Sequence, residues 1–285
     1  MTKETTMAVL RDRLVQDLTL GGYSPHTIRQ YVSAVAAFVK FHRRSPDKMG
    51  HEEVRAWVQH LMDAGTHPQR MRQHIGGLKF FYGKTLARPA EVAFLSWPST
   101  PVSLPTVLSA AEVEQVLAAF TQPKYRVLYT LLYSTGLRVS EACRLETGDI
   151  DAARGVIHVR FAKGRRERLA ALDPRLLAIL RAYWKQERPI PPYLFTTRTG
   201  KPLHPEQARN ALRHARTKLK LDKTVTPHVM RHTFATHMLE QGTDLRVLQV
   251  LLGHASIRST VRYARVSTKL LAKTKSPLRN LKSAG

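Results

Sequence analysis

Residues 226–263 read TPHVMRHTFATHMLEQGTDLRVLQVLLGHASIRSTVRY, and their pattern sets the reading of the rest of the chain. The spacing predicts helices over 227–241, 244–252 and 256–266. Gly253 sits where the middle helix must stop, in the position that favours a left-handed residue. His228, Arg231, His254 and Tyr263 all fall inside this stretch. His228 and Arg231 stand at i and i+3, so they share one helix face. Pro227 opens that helix, and a helix N-terminus favours anions.

Working back towards the N-terminus, Ser109-Ala-Ala-Glu112 is a capping box that opens a helix near 110–120. Helices over 123–134 and 138–146 follow. Two short alternating segments, 155–162 and 167–172, flank the basic turn Lys163-Gly-Arg-Arg166. With a third strand over 193–197 they would make a small antiparallel sheet. Helices over 174–187 and 205–219 lead back to the opening stretch.

The first ninety residues show helical spacing only. Gly21-Gly22 closes a helix over 6–20, and Ser24 and Pro25 cap one that runs to about Arg44. Its apolar positions Ile28, Tyr31, Val32, Val35, Phe38 and Val39 form one stripe. Two more helices fall over 51–64 and 68–84. Between Arg88 and Ser109 the periodicity is lost among Pro89, Pro98, Pro101 and Pro105, which reads as a linker. The expected organisation is an all-α domain over 1–88, a linker over 89–108 and a larger domain over 109–285. The fold class is mainly α, of α+β type.

With 285 residues, 43 % of them hydrophobic, the chain can bury two ordinary cores. No apolar run reaches the length of a membrane span, and MTKETTMAVLRDRLVQDL lacks the apolar region of a signal peptide. One cysteine, Cys143, excludes an internal disulfide and suits a reducing cytoplasm. Forty-six Lys and Arg against 21 Asp and Glu give a net charge of +25, a field that draws polyanions. Residues 1–97 hold 14 of those basic and 8 of those acidic residues, so the excess lies mostly in the remainder.

Several side chains could do chemistry on a phosphodiester. Tyr263 is a poor nucleophile by itself, because a phenol ionises near pH 10, and an ordinary half-buried tyrosine is its commoner meaning. Nearby cations and a base alter that balance. Arg231 and Arg138, the latter in Ser134-Thr-Gly-Leu-Arg-Val-Ser-Glu141, offer two guanidiniums for the oxygens of one phosphate. Glu141 could equally be an ordinary ion-pair partner of Arg138. Lys163 sits in a tight turn beside Arg165 and Arg166, which suit backbone phosphates. His228 and His232 have zinc-pair spacing, but Val229 stands where a metalloprotease needs Glu, so no metal is expected. His232 and His237 are read as packing or hydrogen-bonding residues, and Cys143 as inert core.

Together these residues resemble the tyrosine recombinases (phage-integrase type), and their Xer-like members most of all. The similarity spans nearly the whole chain and is strongest in TGLRVSEACRL (135–145), FAKGRRERL (161–169) and the opening stretch. It implies a four-helix, SAM-like core-binding domain, a linker and a catalytic domain. It also implies an active site of Arg138, Lys163, His228, Arg231, His254 and Tyr263, with Tyr263 forming a 3′-phosphotyrosyl bond in duplex DNA. His228 would be a general base or acid, His254 a donor to the phosphate and Lys163 the acid for the departing 5′-oxygen. No cofactor is implied. Arg165, Arg166, Arg29 and Lys79 are the residues expected to contact DNA. The implied assembly is a homo- or hetero-tetramer on synapsed duplexes, cytoplasmic and nucleoid-associated, with room for an accessory protein. Ala264-Arg265 follow Tyr263 where family members often carry Thr-His. Two other classes would also fit the charge: a non-catalytic DNA-binding or architectural protein, and a type IB topoisomerase.

Overall fold

The computed structural model describes residues 3–99, 104–160, 167–219, 221–254 and 256–264; of residues 3–6, 258 and 262 it describes the backbone only. The chain divides into two compact units, Met1–Val102 and Ser103–Gly285.

The first unit contains α1 (Lys3–Leu20), α2 (Pro25–His42), α3 (His51–Asp63) and α4 (Pro68–Phe80). The Ser24 hydroxyl accepts from the Thr27 amide and Pro25 takes the first turn, so the expected cap of α2 is in place. Leu14, Leu18, Phe38, Val54, Leu78 and Tyr82 form the centre of the core. Phe38 stands edge-on to Trp57 and Tyr82, with ring centroids 6.5 and 6.3 Å apart. The helical path runs past α4 through a wider π-turn at Phe81–Thr85 to a 3-10 turn at Pro89–Val92. Val92 and Leu95, from the stretch read as linker, are buried in this core. Two apolar residues are too few to show a period, so the proline spacing dominated the sequence pattern.

The second unit begins with α5 (Ala110–Ala118), α6 (Pro123–Thr135) and the single turn α7 (Val139–Ala142). The Ser109–Glu112 capping box forms in both directions. Three strands follow in the order β1 (Ile150–Asp151), β2 (Val156–Val159) and β3 (Arg168–Ala171), antiparallel throughout, with Ile157 opposite Ala170 and Ile150. Residues 193–197 are not the third strand. They make isolated bridges, Glu146 to Tyr193 and Thr196 to Pro202, although Leu194 and Phe195 are buried as a strand would require. Pro191 and Pro192 just before them bring no amide donors, and the neighbour is a turn at 145–147 rather than a sheet edge.

The unit closes with α8 (Pro174–Glu187), α9 (Pro205–Thr217), α10 (Pro227–Glu240), α11 (Leu245–Leu252) and α12 (Arg258–Ala264). α10 is buried on most of its circumference, with Val229, Met230, Phe234, Ala235 and Leu239 in the core beside the polar Arg231, Thr233 and Thr236. α6 packs along it, and Leu108 at the start of the unit donates its amide to the buried Thr233 hydroxyl. No helix among the described residues is long and apolar enough to cross a membrane.

Phe38 has no exposed surface, so Phe38→Ala should cost about 3–5 kcal/mol through lost transfer energy and a residual cavity. Urea denaturation followed by tryptophan fluorescence would measure it; a loss below about 1 kcal/mol would show that this core is not tightly packed around the ring.

Candidate active site

Four segments converge on Arg231. Its side chain, only 4 % exposed, donates from Nη1 to the Gly136 carbonyl at 2.7 Å and from Nη2 to the Leu252 carbonyl at 2.6 Å. Nη2 also lies 3.1 Å from Nε2 of His254. A guanidinium only donates, so His254 accepts there and carries its proton on Nδ1, which lies 2.9 Å from the Thr260 hydroxyl. Burial, and then the nearby Arg138 guanidinium, push the Arg231 pKa down to about 10; the group is still a cation at neutral pH.

Both carbonyls that hold Arg231 lie at helix C-termini. Gly136 ends α6 with φ of 64° and Gly253 ends α11 with φ of 61°, a backbone region natural to glycine. At Gly136 a side chain is excluded as well, since a Cβ would stand 2.4 Å from the Phe234 ring.

Arg138 sits immediately before α7. Its amide and its Nη1 both reach the Glu141 carboxylate at 2.8 Å, the ordinary ion-pair partner that the spacing allowed. Glu141 has a second partner. Arg168 of β3 donates to both carboxylate oxygens, at 3.1 and 2.7 Å, while its Nε donates to the Leu251 carbonyl at 2.9 Å. The side chains of Arg168 and Glu141 are 6 % and 2 % exposed. Burial alone would raise the Glu141 pKa, but the hydrogen bonds and charges of Arg168 and then Arg138 overcome it and hold the carboxyl below its usual range.

Tyr263 is 2 % exposed and packs in an apolar cluster with Phe234, Leu239, Leu248 and Leu252. Its hydroxyl lies 3.2 Å from Nδ1 of His232, and its ring is nearly parallel to that of His254, with centroids 6.2 Å apart. His228, one turn earlier on α10, faces His232 with ring centroids 6.4 Å apart. Burial first, then Arg231, Arg209 and Arg138, push the His228 pKa down, so its imidazole is neutral at pH 7. Burial raises the Cys143 thiol to about 12, which leaves it protonated and inert.

The structure thus gathers Arg138, His228, Arg231, His254 and Tyr263. Lys163, Arg165 and Arg166 lie outside the described residues. Arg29 is an exposed residue of α2, and the Lys79 ammonium rests 5.6 Å from the Trp97 ring centroid. Two participants were not singled out from the sequence. Arg168 stood only inside the candidate strand over 167–172, and His232 was read as a packing or hydrogen-bonding residue. The ERL triplet in FAKGRRERL and the His immediately after Arg231 were the available signals.

The family model described as phage integrase family matches residues 106–269, and that of the phage integrase N-terminal SAM-like domain matches residues 10–91. The chain belongs to the phage integrase family, the tyrosine recombinases. Over 97 % of its length it is 38 % identical to y4qK of Sinorhizobium fredii, named as an integrase/recombinase, of which 90 % is covered. It is 34 % identical to tyrosine recombinase XerA of Thermococcus kodakarensis, over 90 % of each chain. Among solved structures, a lambda integrase fragment (75–356) bound as a dimer to a core site shares the fold, with a TM-score of 0.75 at 19 % identity, covering 94 % of this chain and 97 % of that one. A crystal structure of XerA recombinase gives a TM-score of 0.54 at 27 % identity, covering 92 % and 96 %. The recombinase is a site-specific DNA recombination enzyme, and neither the architectural nor the topoisomerase reading is favoured.

The ion-pair arrangement makes a testable demand. A carboxyl whose folded pKa is depressed stabilises the protein above its unfolded value, near 4.3, and loses that contribution as pH falls through the folded value. Glu141→Gln should therefore cost about 3–5 kcal/mol at pH 7, the scale of a buried pair losing one partner. The gap to wild type should close as the pH is lowered through the acid range. Urea titrations of both proteins at several pH values measure it, and a pH-independent gap would contradict the ion-pair account.

Proposed function

We propose that Tyr263 is the nucleophile that cleaves duplex DNA through a 3′-phosphotyrosyl bond, and that Arg138 and Arg231 stabilise charge on the non-bridging oxygens. The supporting observation is the convergence of a buried guanidinium, three imidazoles and the tyrosine hydroxyl on one cluster drawn from α10, α12 and the turn that follows α11. A protein that only bound DNA would gain nothing from burying a cation and a phenol side by side.

In this reading Tyr263 attacks the phosphorus, the 5′-oxygen departs and Lys163 protonates it. The phosphotyrosyl bond keeps the energy of the phosphodiester, so neither ATP nor a metal enters the balance. A 5′-hydroxyl from a second duplex reverses the step and joins new partners. Arg138 already spends part of its charge on Glu141, but Arg168 shares that carboxylate, which leaves net positive charge for a phosphate. His228, held neutral, serves acid–base chemistry beside the tyrosine. His254 becomes a donor to the phosphate once its Nε2 is protonated and no longer accepts from Arg231. Arg29, Lys79, Arg165 and Arg166 contribute backbone phosphate contacts. The working assembly is a homo- or hetero-tetramer on two synapsed duplexes in the cytoplasm, at the nucleoid, with or without an accessory protein.

Nicked suicide duplexes built from DNA flanking the gene should trap an SDS-resistant adduct with wild type in the presence of EDTA. Tyr263→Phe should form none, and Arg138→Ala should slow adduct formation by about 10²–10³-fold. An adduct on Tyr263→Phe would remove the tyrosine from this role.

Binding should also depend steeply on salt. If about ten phosphates are neutralised, log affinity falls against log salt with a slope near −9. A titration from 50 to 300 mM salt would show it, and a nearly flat line would overturn the phosphate-clamp reading.

A further inference from the structure

His232 has a nitrogen at hydrogen-bond distance from the Tyr263 hydroxyl, Nδ1 at 3.2 Å, with ring centroids 5.4 Å apart. Its position is rigid: α10 carries it one residue after the buried Arg231, and α12 is packed on that same helix through Phe234 and Tyr263. His254, although its ring lies parallel to the tyrosine ring, has Nε2 on Arg231 and Nδ1 on Thr260. His228 stands a full turn earlier and contacts the His232 ring. The phenol proton therefore has an acceptor at hydrogen-bond distance in His232, besides His228, to which the family resemblance pointed.

We propose that His232 is a further catalytic residue, the base that takes the phenol proton as Tyr263 attacks; this rests on Tyr263 being the nucleophile. The Oη–H bond breaks and its proton moves to Nδ1 of His232, which requires the resting tautomer with hydrogen on Nε2. The electron pair left on Oη forms the new Oη–P bond. The P–O5′ bond breaks, its electron pair stays on the 5′-oxygen, and a separate acid, Lys163 in the reading above, protonates that oxygen. His232 is left as imidazolium and returns the proton to Oη when a 5′-hydroxyl displaces the tyrosine. His228, neutral beside it, is left to serve the phosphate.

Single-turnover adduct formation on the nicked duplexes tests this in full-length protein. Three backgrounds are compared: wild type, His232→Ala, and His232→Asn, whose amide can still hold the phenol by a hydrogen bond but cannot accept its proton. Each is made with tyrosine and with the more acidic 3-fluorotyrosine at position 263. We expect both variants to bind DNA and melt as wild type does, and to form adduct about 10²–10⁴-fold more slowly. We expect fluorotyrosine to recover much of that loss, so its rate advantage over tyrosine is larger in the variants than in wild type. His232→Asn cleaving at the wild-type rate would overturn the proposal. So would an equal fluorotyrosine effect in all three backgrounds, which would mean that His232 only orients the ring. Absence of adduct in wild type would instead sink the Tyr263 reading underneath it.

Discussion

A buried cation is the constraint on which the rest of the second unit depends. Arg231 is nearly sealed from water, and an uncompensated charge in that position would cost several kcal/mol. The fold answers with backbone. The C-terminal ends of α6 and α11 both aim carbonyls at the guanidinium, through Gly136 and Leu252. The last carbonyls of a helix have no intrahelical partner and carry the negative end of its dipole, so two unmet acceptors and one unmet donor group satisfy each other. This solution dictates where the two helices stop, and hence why each ends on a glycine with positive φ. It also fixes the turn that carries His254, whose backbone is further tied to Gln249.

The same logic extends to Arg168, which takes the neighbouring carbonyl, Leu251, and spends the rest of its donors on Glu141. A strand, a single helical turn and a helix C-terminus are thereby fastened at one point. Glu141 in turn holds both the amide and the guanidinium of Arg138. Three arginines and one carboxylate leave a surplus of positive charge, and that surplus is affordable because each arginine has backbone or carboxylate partners before any substrate arrives. Such prearranged donors need little reorganisation when charge develops on a phosphate.

How much of this was legible in the sequence depended on range. Caps are local, so Ser24 and Ser109 announced their helices, and the structure has both in place. The helical stripe of α2 and the two candidate strands that became β2 and β3 were equally plain. β1 has two residues, too few for any period, while 194–195 carried a strand's burial without a partner strand. Among site residues, the glycine stop before His254 and the face shared by His228 and Arg231 are short-range facts. Arg168 and His232 act through partners 27 and 31 positions away, Glu141 and Tyr263. Nothing in a single sequence distinguishes a polar strand position or a spare helix histidine from those roles.

The nucleophile candidate comes from a different helix than most of the groups around it, and its burial has a consequence. His228, Arg231 and His232 stand on one helix at the centre of the unit, so their spacing is set by α10 alone. Tyr263 is placed by α12, which packs on α10 partly through that same ring. With the residue at 2 % exposure, a phosphodiester of a duplex reaches its hydroxyl only where covering atoms give way to the DNA. Burying an aromatic side chain is worth about 1.5–3 kcal/mol, so an enzyme without substrate stays closed over the ring by a margin of roughly ten- to a hundred-fold. Phosphate contacts along the duplex can supply that free energy, and only a site that makes enough of them will do so. With Tyr263 as the proposed nucleophile, its burial would couple the strength of DNA binding to the chance of cleavage and disfavour breaking DNA at weakly held sites.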